Sequence, residues 1–439
     1  MTIAIDPFDP QISKDPYPHY ERLRREAPVY RSEPSGFFMV TRYDDVMRVF
    51  KQPDLFSSTA MMTIMMSGLG VGTQASGLGF QGADAARMLE LFQQMPIPLV
   101  EFLKSRMLIA SDPPIHGPLR NLVNRGFTPK RIAALEPRIR EIARECLEPV
   151  REKGDMDLVH DFSIPLPVTV IAELLGIETE RRADFKRWSD VLIQSGSGST
   201  AGLRPETVFE AFRDLDAYLR TAIERRRSEP SSDLIGTLVA AEESEAALST
   251  TEVLMFVVLL LIAGNETTTN LIGNGMIALS RNAAQLSAVQ QAPERIPALV
   301  EEILRYDAPI QILFRRATRD TELAGVRIPK DATVLPCIGA AHRDERQFPD
   351  PDRFDIERSN TVHLGFGFGI HFCLGASLAR LEARVAFEEL LGAMADFELA
   401  EPNVPYIDSF LLRGPKRLPI HFTPARDGRS HGSTERARA

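Results

Sequence analysis

Of the three cysteines in this 439-residue chain, at positions 146, 337 and 373, only Cys373 sits in a frame built for chemistry. It lies in the stretch Phe366-Gly-Phe-Gly-Ile-His-Phe-Cys-Leu-Gly375. The glycines let the backbone fold closely around the sulfur, so that N–H groups can point at it. The positive end of a following helix would also favour thiolate over thiol. A thiolate can bind haem iron and push electron density onto it. Two other readings stay open on the pattern alone. A lone cysteine is more commonly a buried structural residue. Zinc bound by His371 and Cys373 is the third reading, although these two have no second closely spaced ligand pair.

Three further groups carry possible chemistry. An apolar run from Val253 ends in Ala263-Gly-Asn-Glu266-Thr267-Thr268. Hydroxyls that compete for helix carbonyls suit a kinked core helix, whereas a carboxylate beside a hydroxyl can relay protons. Glu302 and Arg305 lie three apart on one helix face, a spacing that on a solvated surface is worth only about 0.2–0.5 kcal/mol. His116 and Arg120 share a face of a helix that Asp112 and two prolines would start. By themselves they read as surface residues.

The elements that must position these residues are mostly helical. From about Ile115 to Ala292 the pattern is helical, with breaks near Gly154, Gly176 and Ser195. After Cys373, the residues Leu374, Leu378, Leu381 and Val385 recur on one buried face. Strand-like runs occur at Pro28–Thr41, followed by a helix over Asp44–Phe50, and again at Thr321–Cys337 and Pro405–Phe422. Residues 57–105 are rich in Met and repeat Ser-Gly-Leu-Gly. They lack the Lys-Ser/Thr of a phosphate loop, and read as a surface insertion or a lid whose methionines adapt to apolar ligands. The polar, basic tail 426–439 is expected to be disordered.

A net charge of −9 excludes nucleic acid as the main partner. Three cysteines cannot build a disulfide framework and suit a reducing compartment. No signal peptide is read at the N-terminus, and the apolar run Val253–Ala263 is too short to span a bilayer. A cytoplasmic protein is expected.

The Cys373 stretch resembles the haem-binding signature of the cytochrome P-450 superfamily at every fixed position, and the other motifs follow in that family's order from about Asp15 to Phe422. The resemblance implies a mainly α fold with small β-sheets, a single large haem-enclosing domain over residues 1–425, and haem b (iron protoporphyrin IX) with Cys373 as its thiolate ligand. It implies that His371, His116, Arg120 and one of the Arg315-Arg316 doublet hold the haem propionates, with register favouring Arg315. Phe366, Gly367, Gly375, Ala263 and Gly264 would also contact the cofactor. Glu266 and Thr267 would hold water and deliver protons while O2, the co-substrate, is activated. Glu302, Arg305 and Arg353, the last from Pro351-Asp-Arg-Phe354, would form a buried support under the haem.

By the same resemblance the substrate pocket is walled by Met62, Met65, Leu192, Val258, Leu259, Ile310, Ile312, Leu313, Phe410 and Leu411. The expected activity is monooxygenation of a lipophilic small molecule of terpenoid, steroid, fatty-acyl or polyketide type. No flavin or iron–sulfur domain is read in the chain. Electrons are therefore expected from a ferredoxin or flavodoxin and an NAD(P)H-dependent reductase docking near the Cys373 face. No membrane contact is expected, and a monomer is. Two rivals are a peroxide-driven haem-thiolate enzyme and a non-catalytic haem sensor or docking protein; intact Glu266 and Thr267 argue against both.

Overall fold

The sequence changes period early, from short alternating strands to long helices, and the architecture follows. A computed structural model describes residues 3–62, scattered positions between 86 and 101, and residues 104–196, 203–240 and 248–425. Met65, most of the Met-rich insertion and the 426–439 tail lie outside the described residues.

Strands β1 (Val29–Arg31), β2 (Phe38–Val40) and β3 (Phe56–Ser57) come first. Helices α1 (His116–Asn124) and α2 (Glu136–Arg151) follow, then β4 (Asp155–Asp157) and α3 (Pro165–Leu175). Next are α4 (Arg182–Gly196), α5 (Pro205–Ser228), α6 (Thr250–Ser280) and α7 (Ile296–Tyr306). Strands β5 (Arg315–Ala317), β6 (Thr321–Leu323), β7 (Val326–Ile328) and β8 (Thr333–Pro336) precede α8 (Ala376–Ala393). The last strands are β9 (Met394–Leu399) and β10 (Pro419–Pro424).

The strands form three small sheets. One has the order β1-β2-β8-β5-β3, one β4-β10-β9, and β6 with β7 makes a separate hairpin. The main sheet is antiparallel except for the β2–β8 pair, where Phe38 lies opposite Val334. The expected mainly α fold with small sheets is what the chain adopts. Strand β9 was not foreseen: it follows α8 directly at Met394, two residues after Gly392, with no loop between them.

The centre of the molecule is α6. Its N-terminus is closed by a reciprocal capping box, in which the Glu252 N–H donates to the Ser249 hydroxyl at 3.1 Å and the Ser249 N–H donates to the Glu252 carboxylate at 2.9 Å. Apolar side chains cover α6 on most sides, so it packs as a core helix against α3, α4, α7 and α8. Among the described helices it alone is long and apolar enough to cross a membrane, yet most of it is buried inside the protein. At Gly275 a Cβ would fall 2.4 Å from the Phe387 ring of α8, so only glycine allows that crossing.

Candidate active site

Cys373 hangs in a loop bent by two residues in the left-handed region, Gly367 at φ 69° and Gly369 at φ 70°. A side chain at either would be strained, so the glycines are required by the bend. The bend turns the Cys373 N–H back onto the Phe366 carbonyl at 2.9 Å and carries the chain into α8. The sulfur accepts a backbone hydrogen bond from Gly375, and Arg120 and Arg380 add positive charge nearby. Burial outweighs all three and pushes the thiol up. The glycine loop alone therefore does not keep a thiolate; a bound metal ion would complete its deprotonation. Cys146 and Cys337 are pushed up to about 11 and about 12 by burial, with no cation among the causes.

Cys373 lines one pole of an internal cavity with about 1540 Å3 of empty space, its open mouth included. Around the cavity stand Phe366, Gly367, His371, Gly375, Leu374 and Leu378 on the cysteine side. One face of α6 closes the opposite side with Leu259, Ala263, Gly264, Thr267 and Thr268.

Four residues able to carry positive charge converge at one edge. His116 and Arg120 lie one turn apart on α1, Arg315 comes from β5 and His371 from the cysteine loop. The two imidazole rings meet edge to face, with centroids 4.5 Å apart. Their Nε2 atoms are both buried without a hydrogen-bond partner, and among the described residues no carboxylate pairs with Arg120 or Arg315. Burial pushes Arg315 down to about 10. Burial, with Arg315, His116 and Arg120 adding repulsion, pushes His371 down to about 3. Asp112 acts on His116 and Arg315 from a distance but bonds Ser57 and Ser58, so the cluster has no directly paired anion, and the two carboxylates of a haem would supply one. Alternation along β5 resolves the Arg doublet: Arg315 is 6% exposed and faces the cavity, whereas the side chain of Arg316 is 47% exposed and faces Asp331.

On the opposite face the Thr267 hydroxyl donates to the Ala263 carbonyl at 2.7 Å while α6 continues unbroken to Ser280. The beside-lying Glu266 keeps one buried oxygen without a partner, and burial pushes its carboxyl up to about 8. It is thus a protonated acid near neutral pH. Sequence reading missed a second such acid. Glu382, on α8, lines the cavity, bonds Thr268 and is also pushed up to about 8 by burial. Its only sequence signal was a charge on an otherwise apolar helix face.

The expected support under the site needs one correction. Arg305 is 1% exposed and grips Glu302 through two bonds of 2.8 and 2.7 Å. The second cation on Glu302 is Arg358, at 3.4 Å, not Arg353. The Pro351 and Arg353 carbonyls turn inward to Arg305, and the Arg353 side chain stands in solvent at 65% exposure. Five residues later the chain returns and buries Arg358.

The pocket wall is corrected too. Leu259, Ile310 and Leu313 line the cavity as expected. Met62 does not; its neighbour Met61 does. Val258 lies off the lining face of α6, and Leu192 is packed in the core. Ile312 pairs with Cys337 in an isolated bridge, Phe410 packs on Phe8 and Phe314, and the Leu411 carbonyl accepts from Gln311, all away from the cavity. In their place stand Leu108 and Ile109 of one short helical turn, Phe127, Ile171 and Leu174 of α3, and Ile338, apolar residues drawn from four separate stretches of chain. Among the described residues no three His, Cys, Asp or Glu side chains converge on one point, which leaves a zinc reading with Cys373 and His371 alone.

Comparison with known proteins agrees with this geometry. The cytochrome P450 family model matches residues 205–418. Cytochrome P450 109 of Bacillus spizizenii is 39% identical over 414 residues, covering 93% of this chain and 92% of that protein. The structure of cytochrome P450 CYP109Q5 from Chondromyces apiculatus superposes with a TM-score of 0.83 at 40% identity, covering 97% of this chain and 100% of that one. CYP109E1 from Bacillus megaterium, solved in complex with testosterone, has a TM-score of 0.77 and 35% identity over 93% of this chain and 99% of its own. This chain belongs to the cytochrome P450 family, and it is a monooxygenase that uses dioxygen and a haem held by a cysteine thiolate.

Proposed function

We propose that Cys373 is the thiolate ligand and that the cavity oxidises a lipophilic small molecule of terpenoid, steroid, fatty-acyl or polyketide type. The observation that carries this reading is the division of the cavity wall. Its middle is apolar, with Leu108, Ile109, Phe127, Phe256, Leu259 and Leu313, while its charged and polar groups gather at the haem-carboxylate edge and along Thr267 and Thr268. A substrate would be held by burial of apolar surface, worth about 25 cal/mol per Å2, and water would be excluded from the reacting position. The testosterone bound by the relative from Bacillus megaterium supports a ligand of this class.

Each group has a task. Cys373 donates electron density from its sulfur. Arg120, Arg315, His116 and His371 would hold the two haem carboxylates, and Phe366, Gly367 and Gly375 would pack against the cofactor. Thr267 can receive a proton relayed from Glu266, which holds one at neutral pH, and pass it into the space beside Ala263 and Gly264. The haem supplies the reduction of dioxygen and the insertion of one oxygen atom, chemistry that belongs to the cofactor. Electrons would come from a ferredoxin or flavodoxin with its NAD(P)H-dependent reductase, in the cytoplasm. The exposed rings of Phe368 and Phe372, with Lys51 5.3 Å from the Phe368 centroid, offer a docking patch beside Cys373.

Two measurements test the reading. The reduced, carbon-monoxide-bound protein should show the long-wavelength Soret band of thiolate ligation, and Cys373→His should lose it. Steroids, terpenes and fatty acids should shift the resting haem from low to high spin, with product formed when a surrogate ferredoxin system supplies electrons. Retention of the band in the histidine variant would remove Cys373 as the ligand. Better turnover with hydrogen peroxide alone would favour the peroxide-driven alternative.

A further inference from the structure

The loop that carries Cys373 is tied down by a charge pair between Arg380, one of the cations near the sulfur, and Glu301, which has no role in the site described above. Arg380 lies one turn into α8, and its guanidinium sits over the Phe366 ring at 4.5 Å from the centroid. Glu301 of α7 grips that guanidinium with two bonds, at 2.6 and 2.9 Å. The same carboxylate bonds His363 Nε2 at 3.1 Å, and His363 Nδ1 accepts the Gly365 N–H at 3.1 Å. The accepting Nδ1 leaves Nε2 as the protonated nitrogen, so His363 donates to Glu301. One carboxylate therefore holds both sides of Phe366: the cation stacked on its ring and, through His363, the residue before it. Phe366 lines the cavity, and its own carbonyl takes the Cys373 N–H at 2.9 Å.

The pair also places charge beside the sulfur. Arg380 and Arg120 are the two cations acting on Cys373. Arg120 belongs to the cluster without a directly paired anion, where a haem carboxylate would offset its charge. The charge of Arg380 is offset instead by Glu301, whose carboxylate is only a quarter exposed. A cation near the sulfur favours the more electron-rich state of a thiolate-bound metal, and an unopposed anion disfavours it.

We propose that Arg380 and Glu301 are positioning residues whose balanced charges set the reduction potential of the centre bound at Cys373, with Phe366 clamped between them and the sulfur. This rests on Cys373 being the haem ligand. The reaction concerned is the one-electron reduction of the ferric centre, with dithionite as the electron source in a spectroelectrochemical titration.

The two residues must then act with opposite sign. Arg380→Gln leaves Glu301 unopposed and should shift the reduction equilibrium about tenfold toward the ferric form, which is ~59 mV for one electron. Glu301→Gln leaves the cation unopposed and should shift it the other way. The double variant should return near the native value. Arg380→Lys, which keeps the charge without the fork, should stay closer to native than Arg380→Gln. The thiolate-type Soret band of the carbon-monoxide complex should persist in all four. If both single variants move the potential in the same direction, or if Arg380→Lys moves it as far as Arg380→Gln, the contact is packing alone and the proposal fails. Should Arg380→Gln lose haem, the signs of Glu301→Gln and Arg380→Lys still decide the matter. If the native protein lacks the thiolate band, it is the assignment of Cys373 that fails.

Discussion

At the scale of single residues, the chemistry rests on groups whose surroundings contradict their ordinary charge. Cys373 is a thiol that burial holds above its ordinary value against a backbone N–H and two arginines. His371 is a histidine pushed down to about 3 beside two arginines, and Glu266 is a carboxylic acid pushed up to about 8. Clustered departures of this kind mark functional sites. Thr267 is the residue whose removal is most informative. Its hydroxyl donates to the Ala263 carbonyl, and the residue lines the cavity. Thr267→Ala should leave substrate-induced spin shifts intact but lower product formation about 10²-fold, the low end for a lost acid–base group. Oxygen uptake should continue as peroxide release, and a variant with unchanged product per oxygen would remove Thr267 from the relay. Most of these residues were legible as motifs because their spacing is local. The choice between Arg315 and Arg316 was not, since it depends on which face of β5 meets the cavity.

At the scale of elements, two contacts decide whether the site holds its shape. The first joins α7 to the segment after residue 350. Arg358 donates to Glu302 and to the carbonyls of Pro349, Asp350 and Arg353, with its side chain 7% exposed. Arg358→Ala should cost about 2–3 kcal/mol in denaturant unfolding, whereas Arg353→Ala should stay within about 0.5 kcal/mol. Equal losses would return the support role to Arg353. A Pro-x-Arg-Phe motif pointed to the wrong arginine because a backbone turn, which spacing does not reveal, reverses which groups face inward. The second contact joins α6 to α8 through Thr268 and Glu382. Burial raises the Glu382 carboxyl from 4.5 to about 8, so the fold favours its protonated form. That contribution is complete below the ordinary carboxylate range and is lost as pH rises through about 8. In haem-free protein, Glu382→Gln should therefore hold its Tm better than the native chain between about pH 5 and 8. A parallel decline in both would show that Glu382 keeps its charge when folded.

At the scale of the whole molecule, the chain is a mainly helical shell around one long buried helix, with a cavity where α1, α3, α6, α8, β5 and the cysteine loop meet. A pocket with an apolar middle should read ligand length. Each added CH2 that is buried is worth roughly 0.8 kcal/mol, so a homologous alkyl series should tighten about fourfold per carbon until the cavity is full. Binding should carry a negative heat-capacity change, and a flat series would mean the ligand sits in the open mouth. The cysteine signature, the acid–threonine pair and the helical class were determined by the sequence alone, because each is written in residues close together in the chain. The pocket wall, the identity of the second cation on Glu302, the acid at Glu382 and the net protonation of Cys373 were decided only by the tertiary structure. Each of those depends on residues far apart in sequence brought side by side, and on how deeply that packing withdraws them from water.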